Sequence, residues 1–191
     1  MKIGLFFGSF NPVHNGHLVI AGYMAEFTDL DQVWMVVSPQ NPLKIKNSLL
    51  KDIHRLALVN EAIGDYRKLK SSNIEFKLQK PSYTINTLLH LSEKYTQHEF
   101  VLIMGMDNLQ TLDKWKNYEE ILNNYEVYVY PRQNCEGEKF INHLKVKLID
   151  APVMELSASF IRKAIKDKKD VRYMLPESVY KYIMEMHFYE K

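Results

Sequence analysis

The sequence predicts an α/β fold in which a doubly wound parallel sheet carries a small helical subdomain at its C-terminal end. Short, continuously apolar runs recur along the chain, and such runs are typical of parallel strands that helices cover on both faces. Segments with helical periodicity separate these runs, as a β-α-β-α alternation requires. Because ligands bind such sheets at the carboxyl ends of the strands, we expect a functional site in the loops that follow the runs.

Each strand is predicted from a β-prone run that stops at a turn residue. The first run ends at Gly8, Ser9 and Pro12, and the second ends at Ser38 and Pro39. In chain order, we expect strands at residues 3–7, 33–37, 74–78, 100–104, 127–130 and 146–149. Polar loops are expected over residues 40–50 and 134–139.

The helices are predicted from apolar positions spaced three and four residues apart. They are expected from residue 15 onward and over residues 52–63, 84–95, 118–123, 157–165 and 176–186. The predicted inward faces include Gly22 in the first helix, Ile53 in the second and Leu89 in the third. The last two helices form the predicted C-terminal subdomain.

Length, composition and charge bound the class of protein. The 191 residues suit a single domain over 1–191, with a core over 1–155 and a helical part over 156–191. The net charge of +2 gives no sign of a nucleic-acid-binding surface, and no apolar run reaches membrane-spanning length. Cys135 is the single cysteine, so an intramolecular disulfide is excluded. We expect a soluble cytoplasmic protein, and the sequence leaves open whether it forms a homo-oligomer.

The loop after the first strand carries the clearest chemical signal. Residues 8–17 read Gly-Ser-Phe-Asn-Pro-Val-His-Asn-Gly-His. A helix that begins near Asn15 offers free N–H groups and a partial positive charge, which suit a phosphate. His14 and His17 lie three residues apart at that helix start, so both imidazoles can donate into one small volume. Gly8 allows the backbone to turn and a ligand to approach closely. The loop is therefore predicted to bind a phosphate and to stabilise charge on it.

Two other interpretations of the histidine pair remain open. The pair could bind a metal ion, but no carboxylate or cysteine lies at a supporting spacing, so no metal ligand is assigned. The residues could also be surface histidines after a turn, which the surrounding glycine and proline residues disfavour. The G-x-G-x-x-G pattern of dinucleotide-binding folds is absent.

The same ten residues resemble the G-[ST]-F-[DN]-P-x-H-x-G-H signature of the nucleotidylyltransferase superfamily. The resemblance implies a Rossmann-like fold and transfer of a nucleotidyl group from a nucleoside triphosphate to a phosphorylated acceptor, with release of pyrophosphate. It implies catalytic roles for His14 and His17. Relatives often have Gly-Gly where this chain has Phe7-Gly8. The resemblance also implies an ATP-binding set in this loop, formed by Gly8, Ser9, Phe10, His14 and His17.

The start of a later helix resembles the second signature of the superfamily, I-S-[ST]-x-x-[IV]-R, because residues 156–162 read Leu-Ser-Ala-Ser-Phe-Ile-Arg. In relatives its serine and arginine hold the β- and γ-phosphates, which implies ATP binding by Ser157, Ser159 and Arg162 and a catalytic role for Arg162. A serine-capped helix start and an arginine one turn later are suited to phosphate. Residues 171–177, Val-Arg-Tyr-Met-Leu-Pro-Glu, resemble the run that precedes the last helix of the family, so the resemblance spans nearly the whole chain.

Two segments in the middle of the chain resemble the nicotinate mononucleotide adenylyltransferase branch. Residues 82–88 are similar to its S-Y-T-x-x-T-L pattern, and residues 105–115 are similar to its G-x-D-x-x-x-x-L-x-x-W pattern. The resemblance places Tyr83 and Thr84 at the nicotinate carboxylate and Trp115 on the pyridine ring. It places Gly105 and Asp107 in the ATP site.

Two cations are implied for phosphate groups. Arg132 follows the strand at 127–130, where relatives place an arginine on the acceptor phosphate. Lys44 or Lys46 resembles the phosphate-loop lysine of the family, and Lys44 is preferred because Asn41-Pro42 precedes it. For both lysines a solvated surface position is an equally good interpretation.

Together, these resemblances imply adenylyl transfer from ATP to nicotinate mononucleotide, giving deamido-NAD and pyrophosphate in NAD biosynthesis. Mg²⁺ is expected to be carried by ATP, because no carboxylate cluster offers a protein cage. The expected partners are the two small-molecule substrates, with no nucleic acid and no membrane. The alternatives are another phosphorylated acceptor (nicotinamide mononucleotide or phosphopantetheine), a non-catalytic ATP-binding sensor, and an RNA-binding relative of the tRNA synthetases.

Overall fold

The fold is described from a computed structural model, which covers residues 1–39, 49–133, 135 and 139–190. The predictions for Lys44 and Lys46, and most of the loops expected at 40–50 and 134–139, lie outside these residues. Within them, none of the helices has the length and apolarity that crossing a bilayer requires.

In the described part of the chain, the sheet has six strands in the order β3-β2-β1-β4-β5-β6, and every neighbouring pair is parallel. The strand order reverses between β1 and β4, which makes that crevice the switch point of a doubly wound Rossmann-like sheet. The predicted fold class is therefore confirmed. The strands are β1 Lys2–Gly8, β2 Gln32–Val37, β3 Leu69–Ser72, β4 Glu99–Gly105, β5 Glu126–Tyr130 and β6 Val146–Leu148.

Helices cover the two faces of the sheet, and the sheet separates the core into two apolar layers. They are α1 Asn15–Phe27, α2 Asp52–Ile63, α3 Thr84–Lys94, α4 Met106–Leu109, α5 Tyr118–Asn124, α6 Ala158–Lys166 and α7 Glu177–Glu185. One apolar layer includes side chains of α1, α2, α6 and α7, and the other includes side chains of α3, α4 and α5. The C-terminal helices thus share a core layer with the first two, and α7 packs on α2.

The strand expected at residues 74–78 is wrong. Residues Ile74–Lys77 form a short 3-10 helix, and the strand of this region is Leu69–Ser72. Only Leu69 of that edge strand is buried, so the strand lacks the apolar run that would have signalled it. The 3-10 helix instead buries Glu75, whose Oε1 accepts a 2.7 Å hydrogen bond from the hydroxyl of Thr87 in α3.

Some predicted helix faces are also wrong. Ile53 of α2 is 62% exposed, and the buried face of that helix consists of Arg55, Leu58 and Val59. Leu89 of α3 is exposed as well, and Gly22 of α1 has open space beside it. In α2 the reason is that the charged Arg55 turns inward to meet backbone carbonyls, which no count of apolar spacing can detect.

Candidate active site

The candidate site lies at the carboxyl edge of the sheet, beside the switch point. The loop after β1, here called the histidine loop, leads into α1, and the loops after β4 and β5 lie next along the sheet. The start of α6 approaches the histidine loop. Phe10 in the β1 loop has a φ of 42°, so a non-glycine residue takes the left-handed conformation here. A side chain on Gly8 would approach the ring of Phe10 to 2.8 Å. Gly8 is thus needed for space against Phe10 rather than for a positive φ.

The side chain of Phe10 packs in the core behind His17. Its ring is 1% exposed and lies edge-on to His17, with 5.1 Å between the ring centroids. Phe6 and Tyr130 continue this aromatic support, with edge-to-face contacts of 5.8 Å from Phe6 to Phe10 and 6.0 Å from Phe6 to Tyr130. A bound nucleotide could therefore contact Phe10 only through the main chain of Phe10, so the ATP-binding role expected for this residue is limited to its backbone.

The structure stacks the two histidines. The rings of His14 and His17 lie 3.7 Å apart at an interplanar angle of 27°. The backbone N–H of His14 donates to Nδ1 of His17 over 3.2 Å. Because Nδ1 of His17 is an acceptor in this bond, the neutral imidazole of His17 carries its proton on Nε2. His17 thus presents an N–H donor on the side of the ring away from the backbone.

His14 is the buried member of the pair. It is 4% exposed, and among the described residues its Nδ1 has no hydrogen-bond partner. Burial, together with the positive charge of Arg132, lowers the pKa of His14 to about 4. A side chain on Gly16 would come within 3.1 Å of this Nδ1 and 3.5 Å of Cβ of Leu156. His14 is therefore a neutral imidazole near pH 7, and Gly16 gives it room.

The start of α6 is tied to the histidine loop by Arg162. Nη1 of Arg162 donates to the carbonyl of Asn11 over 2.7 Å, and Nη2 donates to the hydroxyl of Ser159 over 3.2 Å. Ser157 caps the helix by accepting the backbone N–H of Phe160 at 3.2 Å. The two remaining protons on these nitrogens and the free N–H groups of the first turn leave donors for an anion.

The run at residues 171–177, which resembles a family segment, also contacts the histidine loop. The amide of Asn15 donates to the carbonyl of Tyr173 over 3.0 Å, which joins the run at 171–177 to the start of α1. The buried side chain of Asn11 accepts hydrogen bonds from the backbone N–H of Leu50 and from the hydroxyl of Tyr189. Segments far apart in the sequence therefore converge on the histidine loop.

Asp107, Arg132 and Gly105 form the neighbouring part of the site. Nε of Arg132 lies 3.6 Å from Oδ1 of Asp107, and both side chains are about half exposed. A side chain on Gly105 would collide with the Asp107 carboxylate, so glycine lets this group fold back over the end of β4. An open pocket of about 270 Å³ adjoins the pair and is lined by Asp107, Arg132, Gln133, Cys135, Val153, Met154 and Glu155.

The start of α3 lies beside the segment that carries Trp115. Nζ of Lys116 stands 4.7 Å from the ring centre of Tyr83, and the half-buried Tyr83 and Trp115 pack against the same core layer. Tyr83 and Thr84 begin the helix without any side-chain cap. Ser82 has a buried hydroxyl with no described partner. The backbone N–H groups of this helix start are thus left to a ligand or to water.

The structure brings several of the predicted site residues together where the start of α6 meets the histidine loop. The β1 loop contacts the start of α6, and this contact region contains seven of them: Gly8, Ser9, Phe10, His14, His17, Ser159 and Arg162. The positive charge of Arg132 acts on His14. Among the described residues, no group of three or more His, Cys, Asp or Glu is placed to hold a metal ion.

Sequence patterns missed three residues beneath the site. Arg55 is fully buried and hydrogen-bonds the carbonyl of Ser9, Tyr189 hydrogen-bonds Asn11, and Glu75 lies under the start of α3. Burial raises the pKa of Tyr189, so its hydroxyl stays a donor. Each of these residues acts through tertiary contacts that leave no motif in the sequence.

Comparison with known proteins identifies the family of the chain. The cytidylyltransferase-like family model matches residues 5–164. A Flavobacterium psychrophilum protein named probable nicotinate-nucleotide adenylyltransferase is 59% identical, over all of both chains. A protein of the same name from Bacteroides thetaiotaomicron is 44% identical, over 97% of this chain and 92% of that protein. The chain belongs to the nicotinate-nucleotide adenylyltransferase family.

A solved structure has the same fold as this member of the nicotinate-nucleotide adenylyltransferase family. It is the Plasmodium falciparum nicotinic acid mononucleotide adenylyltransferase complexed with NaAD. The TM-score is 0.83, and the match covers 99% of this chain and 97% of that one at 18% identity. At this identity the likeness shows the fold alone.

Proposed function

We propose that the chain transfers the adenylyl group of ATP to nicotinate mononucleotide, giving deamido-NAD and pyrophosphate in NAD biosynthesis. The observation that carries this proposal is the stacked pair of His14 and His17 at the carboxyl edge of the sheet, with Arg162 tied to the same loop. The names of the close relatives support the same substrates.

The triphosphate would lie between the histidine loop and the start of α6. Arg162, Ser159 and the first turn of α6 would hold the β- and γ-phosphates, because they supply a fixed cation and N–H donors. The Nε2–H of His17 would donate to the α-phosphate or to the departing pyrophosphate. His14, neutral at pH 7, would contact the same phosphates without adding charge. The main chain of Gly8, Ser9 and Phe10 would line the loop side, and Gly105 and Asp107 the nucleoside side.

Catalysis would consist of alignment and charge stabilisation. A phosphate oxygen of the mononucleotide attacks the α-phosphorus of ATP in line, forming a new P–O bond. The bond from the α-phosphorus to the bridging oxygen breaks, and pyrophosphate leaves with that electron pair. An ionised phosphate needs no general base, so the donors act by stabilising the charge that develops on the transferred group.

The mononucleotide would bind between the start of α3 and the segment that contains Trp115. The N–H groups at Tyr83 and Thr84 would receive the nicotinate carboxylate, and Trp115 would stack on the pyridine ring. Arg132 would take the acceptor phosphate, since its half-exposed pairing with Asp107 at 3.6 Å is weak enough to exchange. Lys44 remains proposed for a phosphate contact.

The finer expectations about cofactor, location and domains are also proposals. Mg²⁺ would enter bound to ATP, because phosphate oxygens are the hard ligands that it prefers. It would neutralise phosphate charge there, while the chain itself supplies cations and N–H donors. We propose a cytoplasmic location, and a single domain with a core over 1–155 and a helical part over 156–191.

Pyrophosphate release from ATP, measured with a panel of acceptors, tests the proposed function. The panel contains nicotinate mononucleotide, nicotinamide mononucleotide, phosphopantetheine and a blank without acceptor. Release that is fastest with nicotinate mononucleotide supports the proposal, and faster release with another acceptor contradicts the assigned substrate. Binding of ATP without release in any sample would indicate a sensor. A salt-dependent RNA shift would indicate an RNA-binding relative.

A further inference from the structure

A buried arginine lies directly beneath the histidine loop. Arg55 projects from α2 and is 0% exposed. Its guanidinium reaches carbonyl oxygens on three segments, those of Ser9 after β1, Ser38 and Pro39 after β2, and Leu50 before α2. It also donates to Oδ1 of Asp52 over 2.7 Å, and this carboxylate compensates the buried positive charge.

The donor geometry of arginine is fully used at this position. A guanidinium carries five N–H groups in one plane, and the described residues supply five acceptors to Arg55. A lysine has three N–H groups on a single atom, so it cannot reach carbonyls spread over three segments. Arg55 therefore does more than form an ion pair with Asp52, because that pair uses only one of the five N–H groups and the other four donate to backbone carbonyls.

The contact with Ser9 fixes the direction of a peptide group in the histidine loop. A trans peptide is planar, and its C=O and N–H point in opposite directions. Because Arg55 holds the carbonyl of Ser9, the N–H of Phe10 points away from Arg55. The preceding peptide is held similarly, since the N–H of Ser38 donates to the carbonyl of Gly8 over 2.9 Å. This turns the N–H of Ser9 away from β2.

These two N–H groups have no acceptor among the described residues, whose backbone and side-chain hydrogen bonds include none from Ser9 N or Phe10 N. Phe10 is almost fully buried, and an unpaired N–H in such a place costs about as much as a lost hydrogen bond. An anionic oxygen at the loop would supply the missing acceptor.

We propose that Arg55 is a positioning residue, which orients the Ser9–Phe10 peptide so that its N–H donates to the triphosphate. The inference rests on the proposed function for the identity of the phosphate ligand. Arg55 does not touch the substrate, and it acts through the backbone of the histidine loop. Loss of the Arg55 side chain should therefore weaken ATP binding and leave mononucleotide binding largely unchanged.

The test compares Arg55→Lys and Arg55→Met with the wild type and with Lys51→Met. Lys51 precedes the same helix and is exposed, so its variant removes a cation without touching the loop. For each protein we would measure the thermal midpoint, the Kd of ATP by calorimetry without acceptor, and kcat and both KM values. A misplaced donor costs on the order of 100-fold in rate, and this fall in kcat/KM for ATP is expected for Arg55→Met. About a tenfold fall is expected for Arg55→Lys, with the Kd of ATP raised and the KM of the mononucleotide within about twofold.

Either of two results overturns the proposal. One is an Arg55→Lys protein that folds with a normal thermal midpoint and binds ATP as the wild type does. The other is a KM for the mononucleotide that rises as much as that for ATP. If Arg55→Met does not fold, Arg55→Lys decides the question. A wild type that binds ATP but does not react with nicotinate mononucleotide contradicts the proposed function, while the ratio of ATP Kd values still decides the role of Arg55.

Discussion

At the level of single residues, the histidine pair divides its work between a buried and a more exposed imidazole. The backbone N–H of His14 fixes the tautomer of His17, and Phe10 fixes the plane of its ring. His14 is held neutral by burial and by the charge of Arg132. Under the proposed function, the two imidazoles would meet the phosphates already oriented, so little reorganisation would remain for the reaction itself.

His17→Ala should lower kcat by roughly 10²–10³-fold, because it removes one preoriented donor to the transferred phosphate. The thermal midpoint should change little, since His17 is only partly buried. His90→Ala, a partly buried histidine of α3, is the control and should retain full activity. Turnover of His17→Ala within a few-fold of the wild type, in a folded protein, would remove His17 from the mechanism.

Two glycines of α1 offer a matched pair of substitutions. In Gly16→Ala the new methyl group would press on Nδ1 of His14 at 3.1 Å, whereas in Gly22→Ala it would meet nothing within 4 Å. We expect Gly16→Ala to lower turnover by about tenfold or more through a displaced imidazole. Gly22→Ala should raise the free energy of unfolding by up to about 1 kcal/mol with unchanged turnover. Urea unfolding and steady-state rates of both variants check this, and equal activities would show that His14 tolerates the shift.

At the level of elements, the starts of α6 and α3 offer donors of two different kinds. The start of α6 has a serine cap and an arginine one turn later, which suits a dianionic phosphate. The start of α3 has no side-chain cap and has Lys116 nearby over the ring of Tyr83, which suits a carboxylate. Under the proposed function, each helix start would supply donors to one of the two substrates.

Arg162→Ala should raise the KM for ATP more than the KM for the mononucleotide. The reason is that Arg162 stands at the start of α6 and holds the carbonyl of Asn11 in the histidine loop. Steady-state kinetics with each substrate varied in turn measure this, with the exposed neighbour Lys163→Ala as the control. If the KM for the mononucleotide rose instead, the two phosphate sites would have been assigned the wrong way round.

Nicotinate mononucleotide should be preferred over nicotinamide mononucleotide by at least about a hundredfold in kcat/KM. The N–H donors at Tyr83 and Thr84 suit a carboxylate, whereas a carboxamide would present its NH₂ group to them and leave buried groups unpaired. Both ligands carry the same ring, so Trp115→Phe should lower kcat/KM for both and keep the preference. Equal efficiencies in the wild type would contradict the carboxylate argument and indicate dual specificity.

At the level of the whole molecule, a polar cluster ties the edge of the sheet opposite the site. Nζ of Lys2 at the start of β1 contacts Asp29 over 2.8 Å and Glu126 of β5 over 2.7 Å. The hydroxyl of Tyr128 also donates to Asp29. These hydrogen bonds from Lys2 and Tyr128 lower the pKa of Asp29 to about 2. The amino ends of the central strands are thus fastened while the carboxyl ends remain open for ligands.

Asp29→Asn should destabilise the protein by about 1 kcal/mol at pH 7, a modest value because the Asp29 side chain is 54% exposed. The pKa of Asp29 is lower in the folded chain, so its contribution is complete above the ordinary value of 3.8 and is lost as the pH falls toward about 2. Urea unfolding of both proteins between pH 7 and pH 3 should show the difference shrinking in acid. Asp65→Asn, at an exposed position, is the control, and a difference that stays constant with pH would contradict the assignment.

The sequence by itself determined most of the secondary structure and the identity of the chemical motif. The strands that become β1, β2, β4 and β5 are continuous apolar runs, and burial on both faces leaves such a run few other structures. The α2 helix begins and ends at the predicted residues. His14 and His17 were found because their spacing and flanking turn residues are local features that the chain carries in order.

Tertiary structure decided what local patterns do not encode. Residues 69–72 became a strand because β2 offers a free edge, although their own side chains are mostly polar. Phe10 was predicted from its motif position, but packing turned its ring into the core behind His17. Arg55 was unmarked in the sequence because three of its five acceptors, the carbonyls of Ser9, Ser38 and Pro39, lie on distant segments that only the folded chain brings beside it. Periodicity reports which side of an element is apolar, whereas hydrogen bonds between distant segments depend on how the elements pack, and that is settled by the whole molecule.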